Sequence, residues 1–305
     1  MPDATASILL LGATGQVGHE LRCTLAPLGA VHTPGRAAVD LRVPDAIRRA
    51  VDEIGPDLIV NAAAYTDVDG AEDAPRRAAA INAEAPRVLA EAAQTTGAWL
   101  VHYSTDYVFD GTKRAPYTED DAPNPINVYS RTKRDGEAAI QAVGGRHVIL
   151  RTSWMYSRRR SNFVRTMLRL ADDTDRLTVV DDQLGVPTWA GWLAEATTTI
   201  CNSLLGAEGA SKAGCYHLAG TGQTSWYGFA RAVFAQFGRT DVAVEPVSSD
   251  AYDTAAPRPA YTVLDSSRAR AAFDLPATTW TAQLDRFCER IGTEKGTPKA
   301  PFASV

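Results

Sequence analysis

Tyr129 and Lys133 stand four residues apart in Tyr129-Ser130-Arg131-Thr132-Lys133, one helical turn, which puts both side chains on the same face. A free phenol ionises near pH 10 (about 10 for tyrosine), too high for an efficient proton relay near neutrality. A neighbouring ammonium favours the phenolate, so the pair suits a proton donor tuned by a cation. The spacing arises by chance on many amphipathic helices, and it gains weight from two other segments. One is Tyr103-Ser104-Thr105-Asp106-Tyr107, which follows a short apolar run. There the Thr105 hydroxyl can hydrogen-bond a carbonyl oxygen as charge develops on it. Ser104 is the competing hydroxyl.

The other segment is Gly12-Ala13-Thr14-Gly15-Gln16-Val17-Gly18, set between the apolar run Ile8–Leu11 and a helical pattern from His19. A glycine turn in that position permits a tight bend and close backbone approach to a pyrophosphate at a helix N-terminus. The stretch reads as a dinucleotide cradle formed by Gly12, Thr14, Gly15, Gln16, Val17 and Gly18. Arg36, just past a second strand ending near His32, is placed to pair with a 2′-phosphate, which favours NADPH over the alternative, NADH. Asp40 and Leu41 fall where the adenine would lie. Asn61-Ala62-Ala63-Ala64 ends another strand with small residues, where backbone can pass close to a cofactor.

These groups need a scaffold that brings strand ends together. From Ile8 to Arg151 short strand-like runs (Ile8–Leu11, Leu58–Val60, Trp99–Tyr103, Val148–Arg151) alternate with helical patterns, as expected of an α/β Rossmann-type doubly wound parallel sheet. Pro44–Ile54 opens with proline and an acidic residue, both favourable at a helix start. Ala78–Thr96 is helical in pattern, but Pro86 must kink or split it. After Thr152 the alternation fades into helices at 162–171, 191–205 and 226–237 joined by short strands. The expected division is 1–152 for the dinucleotide, 153–292 as a smaller α/β substrate lobe, interleaved or separate, and 293–305 as a mobile tail.

Composition limits the alternatives. With 22% charged residues and a formal net charge of −5, nothing points to a nucleic-acid or membrane-surface partner. The four cysteines are widely spaced, without a C-x-x-C pair, so neither a zinc site nor a disulfide framework is signalled. The start of the chain lacks a secretion pattern, and no apolar run is long enough for a membrane span. A cytoplasmic protein is expected.

With these motifs in place, the sequence resembles the dTDP-4-dehydrorhamnose reductase family of extended short-chain dehydrogenases/reductases. The resemblance rests on Gly12–Gly18, Asn61–Asp67 (NAAAYTD), Tyr103–Phe109 (YSTDYVF), Asn127–Lys133 (NVYSRTK), Arg151–Tyr156 (RTSWMY) and Asp182–Thr188 (DQLGVPT). It implies reduction of the C4 keto group of dTDP-4-dehydro-β-L-rhamnose by a nicotinamide hydride. Tyr129 would protonate the new alkoxide, and Lys133 would hold the nicotinamide ribose. Ala63, Ala64, Tyr65 and Tyr103 join the cofactor-lining set. Thr105 and Asp106 face the sugar and Trp154 lies beside the nucleotide-sugar. Asn162 and Arg258 are candidates for the diphosphate, each also readable as a helix cap and a solvated cation. Relatives can carry a magnesium ion at a homodimer contact, but no matching carboxylate cluster is identifiable here.

Three other functions compete. A sugar-nucleotide dehydratase resembles Thr-Asp-Glu after the strand, and Tyr107 stands in the glutamate's place. An epimerase would keep its dinucleotide tightly bound. A non-catalytic NADP-binding subunit is disfavoured by the intact Thr105, Tyr129 and Lys133.

Overall fold

The computed structural model describes residues 6–252 and 254–293; the expected mobile tail lies, past Thr293, outside the described residues. Six strands form one parallel sheet: β1 (Ala6–Leu11), β2 (Gly29–His32), β3 (Leu58–Asn61), β4 (Trp99–Thr105), β5 (His147–Thr152) and β6 (Gly214–His217), in spatial order β6-β5-β4-β3-β1-β2. Strands covered on both faces read as near-continuous apolar runs. Thus Ile8 and Leu10 of β1 enter one core with Val101 and Leu150, while Leu9 and Leu11 enter the other with Leu100 and Ile149.

The helices that cover the sheet are α1 (Gln16–Thr24), α2 (Pro44–Ile54), α3 (Ala85–Thr96) and α4 (Val128–Val143). Helix α2 has Pro44 and Asp45 in its first turn and ends at Gly55 in the left-handed region, φ 56°, a conformation glycine adopts without Cβ strain. Pro86 is accommodated by a π-helical turn, Ala80–Glu84, immediately before α3. Proline has no N–H to offer the Asn82 carbonyl four residues back. That carbonyl instead packs where a Cβ on Gly136 of α4 would stand 2.1 Å away, so glycine lets α4 approach the turn.

Further helices are α5 (Phe163–Asp173), α6 (Ala190–Leu205), α7 (Trp226–Gln236) and α8 (Trp280–Thr293). After α6, which packs against α1, the chain returns to the sheet as β6, parallel to β5. Three two-stranded pairings build the rest: Met155–Tyr156 with Thr188–Trp189, Leu184–Gly185 with Thr224–Ser225, and Arg176–Val180 with Ala243–Val247. Strand order reverses between β1 and β3, and in open α/β sheets the ligand crevice opens at the carboxyl ends of such strands. No helix among the described residues is long and apolar enough to cross a membrane.

Candidate active site

The glycine turn occupies the crevice at the end of β1. Gly12 has φ +79°, and a Cβ there would meet the Ala62 and Ala63 backbone at 2.7 Å; one on Gly18 would stand 2.1 Å from the Gly12 carbonyl. The bend therefore needs glycine both for conformation and for space. Helix α1 begins at Gln16 with no side-chain cap, leaving first-turn N–H groups directed at the crevice, as an anionic group requires. A pyrophosphate-bearing dinucleotide fits this cradle. The loop 157–162 leans over it: Arg160 Nε donates to the Thr14 carbonyl at 3.0 Å, and Ser157 Oγ donates to Gln16 Oε1 at 2.9 Å.

Past β2, Arg36 is exposed, while Asp40 is engaged by Arg42, whose Nε lies 3.0 Å from Oδ1. The Arg42 guanidinium holds the Asp40 carboxyl well below its ordinary value. Sequence reasoning missed Arg42, whose signal was a second basic residue two positions beyond Asp40. Leu41 packs on the apolar core beside α2. The loop after β3 is pinned by Asn82, whose amide accepts from the Tyr65 N–H at 2.9 Å and donates to the Tyr65 carbonyl at 3.0 Å. Ala63 and Ala64 lie in this loop.

Strand β4 carries the polar centre. Thr105 Oγ1 accepts from the Tyr107 N–H at 3.2 Å and donates to Asp106 Oδ1 at 3.1 Å. Asp106 is buried, and its Oδ2 and the neighbouring Thr262 hydroxyl form no well-aligned hydrogen bond. Burial raises its carboxyl to about 7, against the opposing pull of the Thr262 and Thr105 hydroxyls. Ser104 Oγ is also buried without a partner. Helix α4 is capped by Asn127, whose Oδ1 accepts from the Ser130 N–H at 2.8 Å, and this cap sets the helix start so that Tyr129 and Lys133 project toward β4. Tyr129 packs edge-on against Tyr107, ring centres 6.5 Å apart. Burial pushes its phenol up to about 12; the neighbouring Thr105 hydroxyl opposes this and the Asp106 carboxylate adds to it.

The Lys133 side chain is buried. Its amine donates to the Tyr103 carbonyl at 2.7 Å and lies 3.2 Å from His102 Nε2. Burial brings it down to about 8, with the Glu137 carboxylate acting the other way. The expected lowering of Tyr129 by Lys133 is thus not what the geometry displays. The phenol is raised by burial, and the amine is bound to β4.

Other expected residues take different places. The Tyr103 hydroxyl pairs with Thr197 at 2.6 Å inside the core, so Tyr103 offers the site its carbonyl, not its ring. Asn162 caps α5, accepting from the Arg165 N–H at 3.3 Å, while its amide donates to Gln16 and the Ser157 carbonyl. Arg258 is ion-paired with Asp69 at 2.7 Å, so it is not a solvated cation. Trp154 has a left-handed backbone, φ 42°, an outlier for a bulky residue. It stacks on Trp226 with ring centres 3.5 Å apart, and a Cβ on Gly185 would meet its indole at 2.4 Å. The segments 151–156 and 182–188, singled out for their resemblance, therefore pack on one another. Among the described residues, no group of three or more His, Cys, Asp or Glu stands together as a metal site.

Comparison with known proteins bears on the family and the fold. The family model described as RmlD substrate binding domain matches residues 6–292. The dTDP-4-dehydrorhamnose reductase of Burkholderia thailandensis is 43% identical over 282 residues, covering 90% of this chain and 95% of that protein. The reductase of the same name from Escherichia coli is 41% identical over 297 residues, 94% and 98% of the two chains. The crystal structure of dTDP-4-dehydrorhamnose reductase from Bacillus anthracis in complex with NADP superposes with a TM-score of 0.87 at 34% identity, covering 94% and 99%. The fold, the cradle and these likenesses lead to one conclusion: the chain belongs to the dTDP-4-dehydrorhamnose reductase family.

Proposed function

We infer that this chain reduces the C4 keto group of dTDP-4-dehydro-β-L-rhamnose to dTDP-β-L-rhamnose, with NADPH as the preferred reductant. The observation that carries this reading is the cluster at the carboxyl end of β4. There a tyrosine phenol, the Thr105 hydroxyl and a buried carboxyl meet beside the glycine cradle. A dinucleotide lying along the cradle supplies hydride to C4 of the sugar. Thr105 and Tyr129 face the carbonyl oxygen, and Tyr129 transfers its proton there as negative charge accumulates. Asp106 accepts a sugar hydroxyl. Lys133 reaches the nicotinamide ribose, while Trp154, on its strained backbone, presents an aromatic face to the nucleotide-sugar. The dinucleotide and the nucleotide-sugar are small, water-soluble molecules, which suits a cytoplasmic enzyme. Tyr107 supplies no carboxyl at the position where a sugar-nucleotide dehydratase resembles glutamate, which favours a reductase over a dehydratase.

The test is NADPH oxidation followed by absorbance, with dTDP-4-dehydrorhamnose generated in place. Consumption matched by dTDP-rhamnose formation is expected; intact dinucleotide binding without consumption would transfer the assignment to another nucleotide-linked keto sugar.

Cofactor choice gives a separate prediction. Arg36→Ala should weaken NADPH at least about tenfold while leaving NADH nearly unchanged, because a lost phosphate contact is worth roughly 1.4 kcal/mol or more. Arg42→Ala should act in the same direction, since Asp40 loses its counter-ion and then repels a 2′-phosphate. Binding titrations with both dinucleotides check this, and equal losses for the two would remove both arginines from that role.

A further inference from the structure

His102 interrupts the apolar run of β4 and is buried. Four contacts in series pass through it. The Ala63 N–H donates to Asn61 Oδ1 at 3.2 Å, which fixes the orientation of the Asn61 amide, and Asn61 Nδ2 then donates to His102 Nδ1 at 3.0 Å. His102 Nε2 lies 3.2 Å from Lys133 Nζ, and Nζ donates to the Tyr103 carbonyl at 2.7 Å. A neutral imidazole carries one N–H and one lone pair. With Nδ1 accepting from Asn61, the proton sits on Nε2 and points at Lys133.

An ammonium at Lys133 would set donor against donor across that contact. Turning the imidazole over would require the Asn61 amide to flip, and its NH2 would then oppose the Ala63 N–H. An imidazolium is excluded by the surroundings, because burial lowers the His102 value far below its ordinary one. Only an uncharged amine, accepting from Nε2–H and donating to Tyr103, satisfies the whole chain. The other groups facing Lys133 do not reverse this. Tyr129, one turn before it, is held protonated, and Glu137, one turn after it, is committed to Arg151 at 2.6 Å.

We propose that His102, oriented by Asn61, is a positioning residue that favours the neutral amine of Lys133, and that binding of the anionic dinucleotide restores the ammonium by proton uptake. The ammonium that assists Tyr129 is therefore favoured when the reductant is in place. The inference rests on the dinucleotide reading of the cradle, but not on the identity of the sugar.

Asn61→Asp tests it with an almost isosteric change. A carboxylate accepts from both the Ala63 N–H and His102 Nδ1–H, so the imidazole turns its Nε2 lone pair to Lys133 and stabilises the ammonium. Long-range 1H–15N correlation spectra of histidine-labelled protein without ligand should find His102 protonated on Nε2 in the wild type and on Nδ1 in the variant. Calorimetric titration with NADPH near pH 8, in buffers of different ionisation enthalpy, should detect proton uptake in the wild type and its loss in Asn61→Asp. The alkaline limb of kcat/KM should move up by about one pH unit or more in the variant. An Nδ1–H tautomer in the wild type overturns the proposal outright, even if the variant fails to fold. Uptake that is equal in both proteins, or absent from the wild type, overturns it too. Absence of any NADPH binding would instead refute the cofactor reading, while the tautomer still decides the role of His102.

Discussion

Tyr129→Phe lowers kcat about 10²- to 10⁴-fold, the usual contribution of a positioned general acid, while KM and the unfolding midpoint change little. The substitution removes one oxygen and keeps the edge-on packing against Tyr107. No backbone group depends on that hydroxyl among the hydrogen bonds of the site, so the fold has no reason to respond. With its phenol raised to about 12, Tyr129 is protonated throughout the working pH range, and the acid is always loaded. The difficulty lies in releasing the proton, which a neighbouring ammonium eases. Stopped-flow NADPH oxidation under single-turnover conditions separates chemistry from product release. A variant turning over at the wild-type rate would take the proton-donor role away from Tyr129.

The residues that announce themselves by local chemistry were legible from sequence. Pro44 and Asp45 placed the start of α2, the glycines placed the cradle, and Pro86 announced a break that the structure resolves as a π turn. The parallel sheet followed from short apolar runs separated by helical patterns, because strands buried on both faces tolerate few polar residues. What stayed hidden depends on partners far along the chain. His102 reads as one polar residue in a buried strand until Asn61 and Lys133, 41 and 31 positions away, close on it. Tyr103, Asn162 and Arg258 carry groups able to bind a ligand. Their actual partners, Thr197, Gln16 and Asp69, lie 94, 146 and 189 residues away, and no spacing rule reaches that far. The Trp154 backbone, φ 42°, is likewise set by the stack on Trp226 and the space above Gly185, not by its neighbours in sequence.

Asp106→Asn should make the protein more stable at pH 8 and less active, and the two effects share one cause. The wild-type carboxyl is raised from 3.8 to about 7 by burial. A group whose folded value is raised contributes stability that is complete below its unfolded value and is lost as pH rises through the folded one. Between about pH 4 and pH 7 the wild type therefore loses up to about 4 kcal/mol from this residue, since each tenfold change in proton affinity is worth roughly 1.4 kcal/mol. Asparagine carries no charge and escapes the loss. Chemical denaturation should find the variant level with the wild type near pH 4 and ahead of it by about 1 to 4 kcal/mol at pH 8. A gain of the same size at both pH values would mean that packing, not ionisation, separates the two. Activity should move the other way. A charged hydrogen bond to a sugar hydroxyl is worth about 1.5 to 3 kcal/mol, so kcat/KM should fall roughly 10- to 150-fold. Stabilisation without loss of activity would leave Asp106 outside the substrate contacts. Stabilisation with loss of activity would place the Asp106 carboxylate against a substrate hydroxyl, which is the use that would justify an ionisable group held in this buried position.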